Sequence, residues 1–227
     1  MTGYGLKLWL IYKKDFLTEL RTADSLLSTI IFGIMLVVIF SFAFQLTDVA
    51  VDKAFAAVLW ISIFFTSTLS LQRSFANEKE NDTISALLLA VGDRGCVFLA
   101  KVLANLTTLV LLAAVIVPLA WILIDVQAAG PNHFGLLLLS LLLGSWGLAA
   151  VGTLINGITV QLAGTRLLFP LLLFPLLVPV LIGSILSSTA AIQQTGASMW
   201  GWIYLLLCFD LIYTVVPLIL FDYVLEG

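Results

Sequence analysis

Six long apolar runs alternate with short polar segments along the chain. The runs cover approximately residues 25–44, 54–72, 96–124, 134–160, 167–187 and 202–224. Crossing a hydrocarbon layer of about 30 Å takes roughly 20 apolar residues in a helix, and each run is close to that length or longer. The pattern therefore predicts six transmembrane helices. The third and fourth are long enough to tilt or to extend beyond the bilayer.

The composition supports a membrane protein. Of 227 residues, 62% are hydrophobic and 10% are charged, and the mean hydropathy is +1.17. A water-soluble fold could not bury so much apolar surface. We expect an all-α polytopic membrane protein with a single transmembrane domain over 1–227. The net charge of -3 and the dispersed basic residues give no reason to expect nucleic-acid binding.

The basic residues predict the orientation. A cytoplasmic N-terminus places segments 1–24, 73–95 and 161–166 inside. Those segments contain eight of the ten basic residues: Lys7, Lys13, Lys14, Arg21, Arg73, Lys79, Arg94 and Arg166. Lys101 falls near the inner face, and Lys53 is the one base outside. The positive-inside rule then predicts a protein of the cytoplasmic (inner) membrane with both termini in the cytoplasm.

Segment 1–24 has the pattern of an amphipathic helix. One face carries apolar residues, and the other carries charged residues. The apolar face comprises Leu6, Trp9, Leu10, Leu17 and Leu20, and the charged residues are Lys7, Lys14, Asp15 and Glu19. We expect this helix to lie in the membrane interface before spans one and two, which occupy 25–72.

Three polar residues inside the spans are candidate site residues. Asp210 lies well inside span six, and an acid at that depth is a functional hypothesis because charge is costly there. The alternative is that Asp210 is neutral or hydrogen-bonded for structural reasons. Asn105 and Asn156 are candidates for interhelical hydrogen bonds or for partners of Asp210.

Small residues and prolines mark spans four and five. Ala149, Thr153 and Gly157 recur every four residues in span four, a spacing that favours close helix packing over a role in substrate binding. Span five contains three prolines, each of which removes a backbone donor. That span is expected to be kinked or partly broken, either as a moving element or as an architectural bend. The prolines are Pro170, Pro175 and Pro179.

A charged stretch separates spans two and three. Asn77 followed by Glu80 is typical of a helix start, and Asp82 offers a second capping residue. An apolar stripe follows, which predicts a short cytoplasmic helix within 73–95, and spans three to six then occupy 96–227. The helix would fit a groove on another protein or lie on the bilayer surface. The stripe comprises Ile84, Leu87, Leu88 and Val91.

Motifs for chemistry are absent from the sequence. It contains no G-x-x-x-x-G-K-[ST] phosphate loop, no H-E-x-x-H and no G-x-S-x-G, so no catalytic residue is predicted. His133 is the single histidine, and Cys96 and Cys208 lie far apart, so neither a metal site nor a disulfide is predicted. Energy for transport would have to come from an ion gradient or a partner subunit.

The run RSFANEKENDTISALLLAVGDRGCVFLAKVLAN resembles the cytochrome c maturation permease family called haem exporter protein B, or CcmB. That family has a phrase close to R-x-F-x-x-E-x-x-D-G-[ST]-L-x-x-L-L-L-A-P and a downstream A-K-V. WISIFFTSTLSLQRSF and LLFPLLLFPLLVPVLIG are also similar, so the resemblance covers nearly the whole chain. The sequence departs from the family at Asn81-Asp82-Thr83 and at Val91, where the family has Asp-Gly before Ser or Thr and a proline.

The resemblance implies an ABC-2-like membrane subunit that pairs with a second copy of itself, a cytoplasmic ABC ATPase and a haem-handling membrane subunit. Glu78, Glu80 and the segment from Asp82 to Val91 would form the coupling helix seated on the ATPase. It also implies that ATP hydrolysis drives haem export or release of a haem-loaded chaperone. Haem would be handled by the complex, and this chain alone is expected to bind no cofactor. The alternatives are an ABC-2 permease for lipid, polysaccharide or drug, and a membrane assembly scaffold.

Overall fold

The structure, a computed structural model, describes residues 3–21, 23–47, 49–80, 94–126, 131–161, 168–193 and 196–224. Within those ranges the chain forms seven α-helices and no strand. They are α1 (Gly3–Arg21), α2 (Ala23–Gln45), α3 (Val51–Glu80), α4 (Arg94–Ile124), α5 (Pro131–Gln161), α6 (Leu168–Gln193) and α7 (Gly196–Val224).

The predicted spans are confirmed as helices α2 to α7. In the described part of the chain, six helices are long and apolar enough to cross a membrane, and the longest such stretches are Gly95–Ile124 and Phe134–Thr159. At a rise of 1.5 Å per residue, these two stretches exceed 30 Å. The all-α fold and the extra length of spans three and four therefore follow the hydrophobic pattern.

Helices α3 and α5 form the interior of the bundle. The fully buried side chains of Phe55, Leu59 and Trp60 lie on α3, and Leu148 is buried on α5. α2 and α7 instead expose many large apolar side chains, as expected for helices whose outer surface is solvated by lipid. Polar side chains in the middle of α3 and α5, such as Ser62, Thr66 and Ser140, are thus buried inside the bundle.

The N-terminal helix α1 packs mainly on α4. Ile11 is buried against Cys96, Val97 and Ala100 of α4, while Trp9 is 56% exposed. The apolar face of α1 therefore points away from the bundle. An exposed apolar face suits a helix in the membrane interface, although that location stays a prediction.

Span five ends further along the chain than its apolar run predicted. The helix continues past Ser187 to Gln193, so the first part of the polar segment between spans five and six is helical and buried. Its hydroxyls bond within the bundle instead of facing water. The prediction of a partly broken span is wrong: Pro175 and Pro179 lie inside a continuous helix, and Pro170 lies in its first turn, where no backbone donor is needed. A kink at the prolines stays a prediction.

The expected helix start at Asn77 is also wrong. α3 continues from its membrane span through Asn77 to Glu80, so Asn77 lies within a helix and not at its beginning. Arg73, Lys79 and Arg94 lie where α3 ends and α4 begins. We call this side of the bundle the basic end.

Candidate intramembrane site

One face of α5 carries three small residues at the spacing of a helical stripe, Ser140, Gly144 and Gly147. A β-carbon added at Gly144 would collide with the Trp60 ring of α3 and with Ser184 of α6. The absence of a side chain there is what allows the three helices to approach so closely. Small residues of α5 therefore serve helix packing, as the sequence indicated.

Serines of α6 face this stripe and form hydrogen bonds with it. Ser140 Oγ lies 2.5 Å from Ser187 Oγ and 3.0 Å from Ser188 Oγ. Trp60 Nε1 donates to Ser188 Oγ at 2.8 Å, and Ser187 Oγ donates to the Ser184 carbonyl at 3.2 Å. We call the contact of Ser140, Gly144 and Gly147 with Ser184, Ser187 and Ser188 the serine seam.

Asp210 of α7 lies next to Gly147, at the end of the serine seam. A β-carbon added at Gly147 would be 2.8 Å from Asp210 Oδ1 and 3.1 Å from Val180 Cγ1. The carboxyl group therefore sits against the α5 backbone, where α5, α6 and α7 meet. Asp210 is 6% exposed, and neither carboxyl oxygen has a hydrogen-bond partner among the described residues.

The depth of Asp210 matches the sequence prediction. The membrane-spanning stretch of α7 runs from Trp200 to Ile219, so Asp210 is about 15 Å from either end at 1.5 Å per residue. On the neighbouring turn, Trp146 Nε1 donates to Thr214 Oγ1 at 2.9 Å. This hydrogen bond fixes α5 against α7 beside Asp210 without involving its carboxyl group.

Asn105 and Asn156 bond to other partners. Asn105 Nδ2 donates to Thr153 Oγ1 at 2.9 Å, joining α4 to α5. Asn156 Nδ2 donates to the Leu71 carbonyl at 3.1 Å, joining α5 to α3. Both are interhelical hydrogen bonds, and the structure does not bring either amide to Asp210. Of the two predicted alternatives, the structure therefore shows the interhelical hydrogen bonds and not a partnership with Asp210.

An ion pair between α1 and α4 was missed from the sequence. Lys101 Nζ lies 3.5 Å from Asp15 Oδ2, and the side chains are 8% and 12% exposed. Asp15 also lies 3.0 Å from Lys14. A lysine inside an apolar run and an acid on the preceding amphipathic helix were the available signals. Predicting the ion pair would also have required knowing that α1 packs on α4, and the periodicity of the sequence does not give that packing.

The predicted coupling residues fall at the edge of the described chain. Glu78 and Glu80 belong to the last turn of α3. Asp82, Ile84, Leu87, Leu88 and Val91 lie outside the described residues. His133, read as a loop residue, falls in the first turn of α5. In the parts of the chain that the structure describes, no three His, Cys, Asp or Glu side chains gather as a metal site would require.

In the described part of the chain, six membrane-length helices, a polar seam and a central acid without a hydrogen-bond partner define a multi-pass membrane protein. The family model "CcmB protein" matches residues 6–222. The chain belongs to the CcmB family, as its loop and proline motifs indicated.

Several curated relatives carry the name heme exporter protein B. The Haemophilus influenzae protein is 25% identical over 172 residues, 76% of each chain. The Bradyrhizobium diazoefficiens protein is 26% identical over 198 residues, 87% of each chain. The Pseudomonas aeruginosa protein is 27% identical over 183 residues, 79% of this chain and 81% of its own. Comparison with solved structures gave no match.

Proposed function

We propose that the chain is the permease subunit of an ABC-type complex in cytochrome c biogenesis, in which a partner ATPase supplies the energy for haem export or for release of a haem-loaded chaperone. The family match over residues 6–222 carries this proposal, and the relatives named heme exporter protein B support it. The chain has no nucleotide-binding motif of its own, so the site of ATP hydrolysis lies on another subunit.

The extension of α3 supports a coupling role for the segment that follows it. The membrane-spanning stretch ends at Gln72, and the helix continues for eight further residues to Glu80, a projection of about 12 Å. A rigid helix that leaves the bilayer can transmit a movement from a bound partner to α3, the interior helix of the bundle. We assign Glu78, Glu80 and the stripe of Ile84, Leu87, Leu88 and Val91 to ATPase contact.

Haem enters the proposal as cargo of the complex. A single histidine in the chain cannot supply two axial imidazole ligands, so haem ligation is assigned to partner chains. The complex then contains two copies of this chain, the ATPase and a haem-handling membrane subunit. Its location is the cytoplasmic membrane, with the basic end and both termini on the cytoplasmic side.

The test compares two aspartate substitutions in the proposed coupling helix, one inside the apolar stripe and one outside it. Leu87→Asp puts a charge in the apolar stripe and is expected to abolish co-purification of the ATPase. Ala86→Asp puts the same charge about 100° further from the stripe's centre on a helical wheel and is expected to retain the ATPase. Both variants are co-expressed with the partner subunits, extracted in mild detergent and scored by ATPase pull-down and membrane abundance.

Equal ATPase recovery with Leu87→Asp and Ala86→Asp would overturn the coupling assignment. The cargo is tested separately by cytochrome c maturation in a strain that lacks the endogenous chain. Restored maturation by the unaltered chain, and its loss with Leu87→Asp, would support the haem pathway. Normal maturation without the chain would favour the other ABC-2 substrates.

A further inference from the structure

Asp210 has no counter-charge on any helix that packs against α7. Its neighbours are α4, α5 and α6, and α6 contains no charged residue from Leu168 to Gln193. The titratable residue of α5 is His133 in its first turn, about 21 Å along the helix from Gly147. On α7 itself the nearest titratable side chains are Tyr204, Cys208 and Tyr213, all neutral in their ordinary forms.

The bases of α4 lie away from the level of Asp210. Arg94 begins the helix, and Lys101 lies about 13 Å from the middle of the α4 span along the helix axis. Lys101 is also paired with Asp15 of α1. No base in the described helices packed on α7 is therefore placed to neutralise the Asp210 carboxyl group.

A carboxylate buried without a cation or a hydrogen-bond donor is strongly disfavoured. A metal cation would need several further oxygen ligands, whereas the carboxyl group of Asp210 lies against Gly147, and Val180 methyl groups approach the same point. A proton is the smallest ligand that neutralises the carboxylate, and its binding requires no ligand other than a carboxyl oxygen. The surroundings of Asp210 therefore suit the binding of a proton.

The serine seam continues from this acid toward one end of the bundle only. Gly144 and Gly147 are neighbours on one face of α5, roughly 5–6 Å apart, and they lie against Ser184 and Asp210 respectively. Ser184 Oγ is buried and has no hydrogen-bond partner among the described residues. Ser187, Ser140 and Ser188 follow, and Ser188 is five residues from the end of α6.

Toward the basic end the same contact is apolar. The next residues of α5 are Leu148, Ala149, Ala150 and Val151, all buried. On α6, Leu177 and Leu173 are completely buried on that side of Val180. At the contact between α5 and α6, hydroxyl groups that could hold water therefore lie on one side of Asp210, and apolar side chains lie on the other. Thr214 of α7 lies one turn from Asp210 on the basic side, but its hydroxyl accepts a hydrogen bond from the Trp146 indole.

We propose that Asp210 is a proton-binding site whose access route is the serine seam, open to the water at the end of the bundle opposite the basic end. On release, the carboxyl O–H bond breaks and the proton passes to a water molecule in the seam, leaving the charge on Asp210. On uptake the same bond re-forms from a hydrated proton. Because the charged form cannot stay dry against Gly147, proton exchange requires the α5–α7 contact to admit water.

Infrared spectroscopy tests the bound proton directly. The full chain is reconstituted in phosphatidylethanolamine–phosphatidylglycerol nanodiscs, and the spectrum of Asp210→Asn is subtracted from that of the unaltered chain. The expected difference is a protonated carboxyl C=O stretching band at neutral pH that shifts when H₂O is replaced by D₂O. A carboxylate band in its place would overturn the proton site.

The access route is tested by the rate of that shift. Ser184→Val removes the unpartnered hydroxyl and places two methyl groups on the β-carbon, and it is expected to slow the shift by up to about tenfold, the equivalent of one lost hydrogen bond. Ser41→Val removes a hydroxyl of α2 that is likewise buried and unpartnered among the described residues but lies outside the seam. That control should leave the rate unchanged.

Equal exchange rates in the unaltered chain, Ser184→Val and Ser41→Val would overturn the seam as the route. If Ser184→Val does not fold because of crowding at Gly144, Ser184→Ala removes the hydroxyl without adding volume, and the same slowing is expected. Neither measurement uses an ATPase or haem. Failure here therefore leaves the proposed function untouched, and failure of that function leaves the proton site standing.

Discussion

Two polar regions on one face of α5 differ in how their buried groups are satisfied. At Ser140, hydroxyls of α5 and α6 bond to one another and to the Trp60 indole. Two turns further along, the Asp210 carboxyl group lies against Gly147 with no such partner among the described residues. Buried polar groups that serve the fold are normally paired. The contrast indicates that the first region stabilises the bundle and that the second is kept for another purpose.

The basic end shows how this chain pairs a buried acid when pairing is needed. Asp15 is nearly as enclosed as a core residue, and Lys101 approaches it from α4. Asp210 has no equivalent lysine or arginine on α4, α5 or α6 at its own level. The absence of a partner is thus a property of the Asp210 position and not of buried acids in this protein generally.

The largest predicted effect comes from removing the buried cation beside Asp15. Lys101→Met keeps the aliphatic stem and removes the charge, so the Asp15 carboxylate beside α4 loses its buried partner and keeps the more exposed Lys14. We expect a loss of about 3 kcal/mol in the free energy of unfolding, because removing one partner of a buried pair exposes the desolvation cost of the other. Unfolding in mixed micelles titrated with dodecyl sulfate measures this change.

Lys53→Met is the control for Lys101→Met, since Lys53 is an exposed residue in the first turn of α3. It should change stability by no more than about 0.5 kcal/mol. If both variants change the free energy of unfolding equally, the Asp15–Lys101 pair contributes little to stability. The pair could then no longer serve as the example of a buried acid stabilised by a cation, with which Asp210 is compared.

The second effect, of about 2 kcal/mol, tests the tight packing of the serine seam. Gly144→Ala forces a methyl group into the Trp60 ring and Ser184, and overpacking of this kind costs about 1–3 kcal/mol. Gly135→Ala on the same helix is the matched control, because an added β-carbon there has no neighbour within 4 Å. Fluorescence-detected thermal unfolding should separate the two variants, and equal stability would contradict tight packing at Gly144.

The third effect measures how much a buried interhelical hydrogen bond contributes to the free energy of unfolding. Trp60→Phe and Ser188→Ala each remove one side of the 2.8 Å hydrogen bond, and their double-mutant cycle isolates the pair. We expect a coupling of about 0.6 kcal/mol, the average for interhelical hydrogen bonds in membrane proteins. A coupling indistinguishable from zero would mean that the bond follows from packing without adding to stability.

The hydrophobic pattern was sufficient to predict the fold, but it was insufficient to predict where the helices end. Run length alone located all six spans, because only helices satisfy the backbone inside lipid. The end of α6 was misplaced because the polar residues after Ser187 look like a loop when the partners of Ser188 on α3 and α5 are unknown. Helix α6 shows the same limit, since its three prolines predicted either a kink or a partial break and could not decide between them, and the helix is continuous.

The candidate site was predictable in part. Asp210 was recognisable from its depth, since a lone acid in an apolar run needs no knowledge of packing to be noticed. Its contact with Gly147 depends on the rotation of α5 against α7, which sequence periodicity does not specify. The Asp15–Lys101 pair joins residues that are 86 positions apart in sequence, so it became visible only once α1 was placed on α4.

The smallest predicted effect comes from Asp210→Asn, and its smallness is informative. If the carboxyl group is neutral in the folded chain, an isosteric amide changes the shape and charge very little, and stability should change by no more than about 0.5 kcal/mol. If Asp210 were instead an ionised member of a buried pair, the loss should approach the 3 kcal/mol or so expected for Lys101→Met. Unfolding of the two variants in the same micelles separates these cases. A stable Asp210→Asn chain that supports less cytochrome c maturation than the unaltered chain would then assign the carboxyl group to function, because its fold would be intact while the carboxyl proton that can be released and taken up was gone.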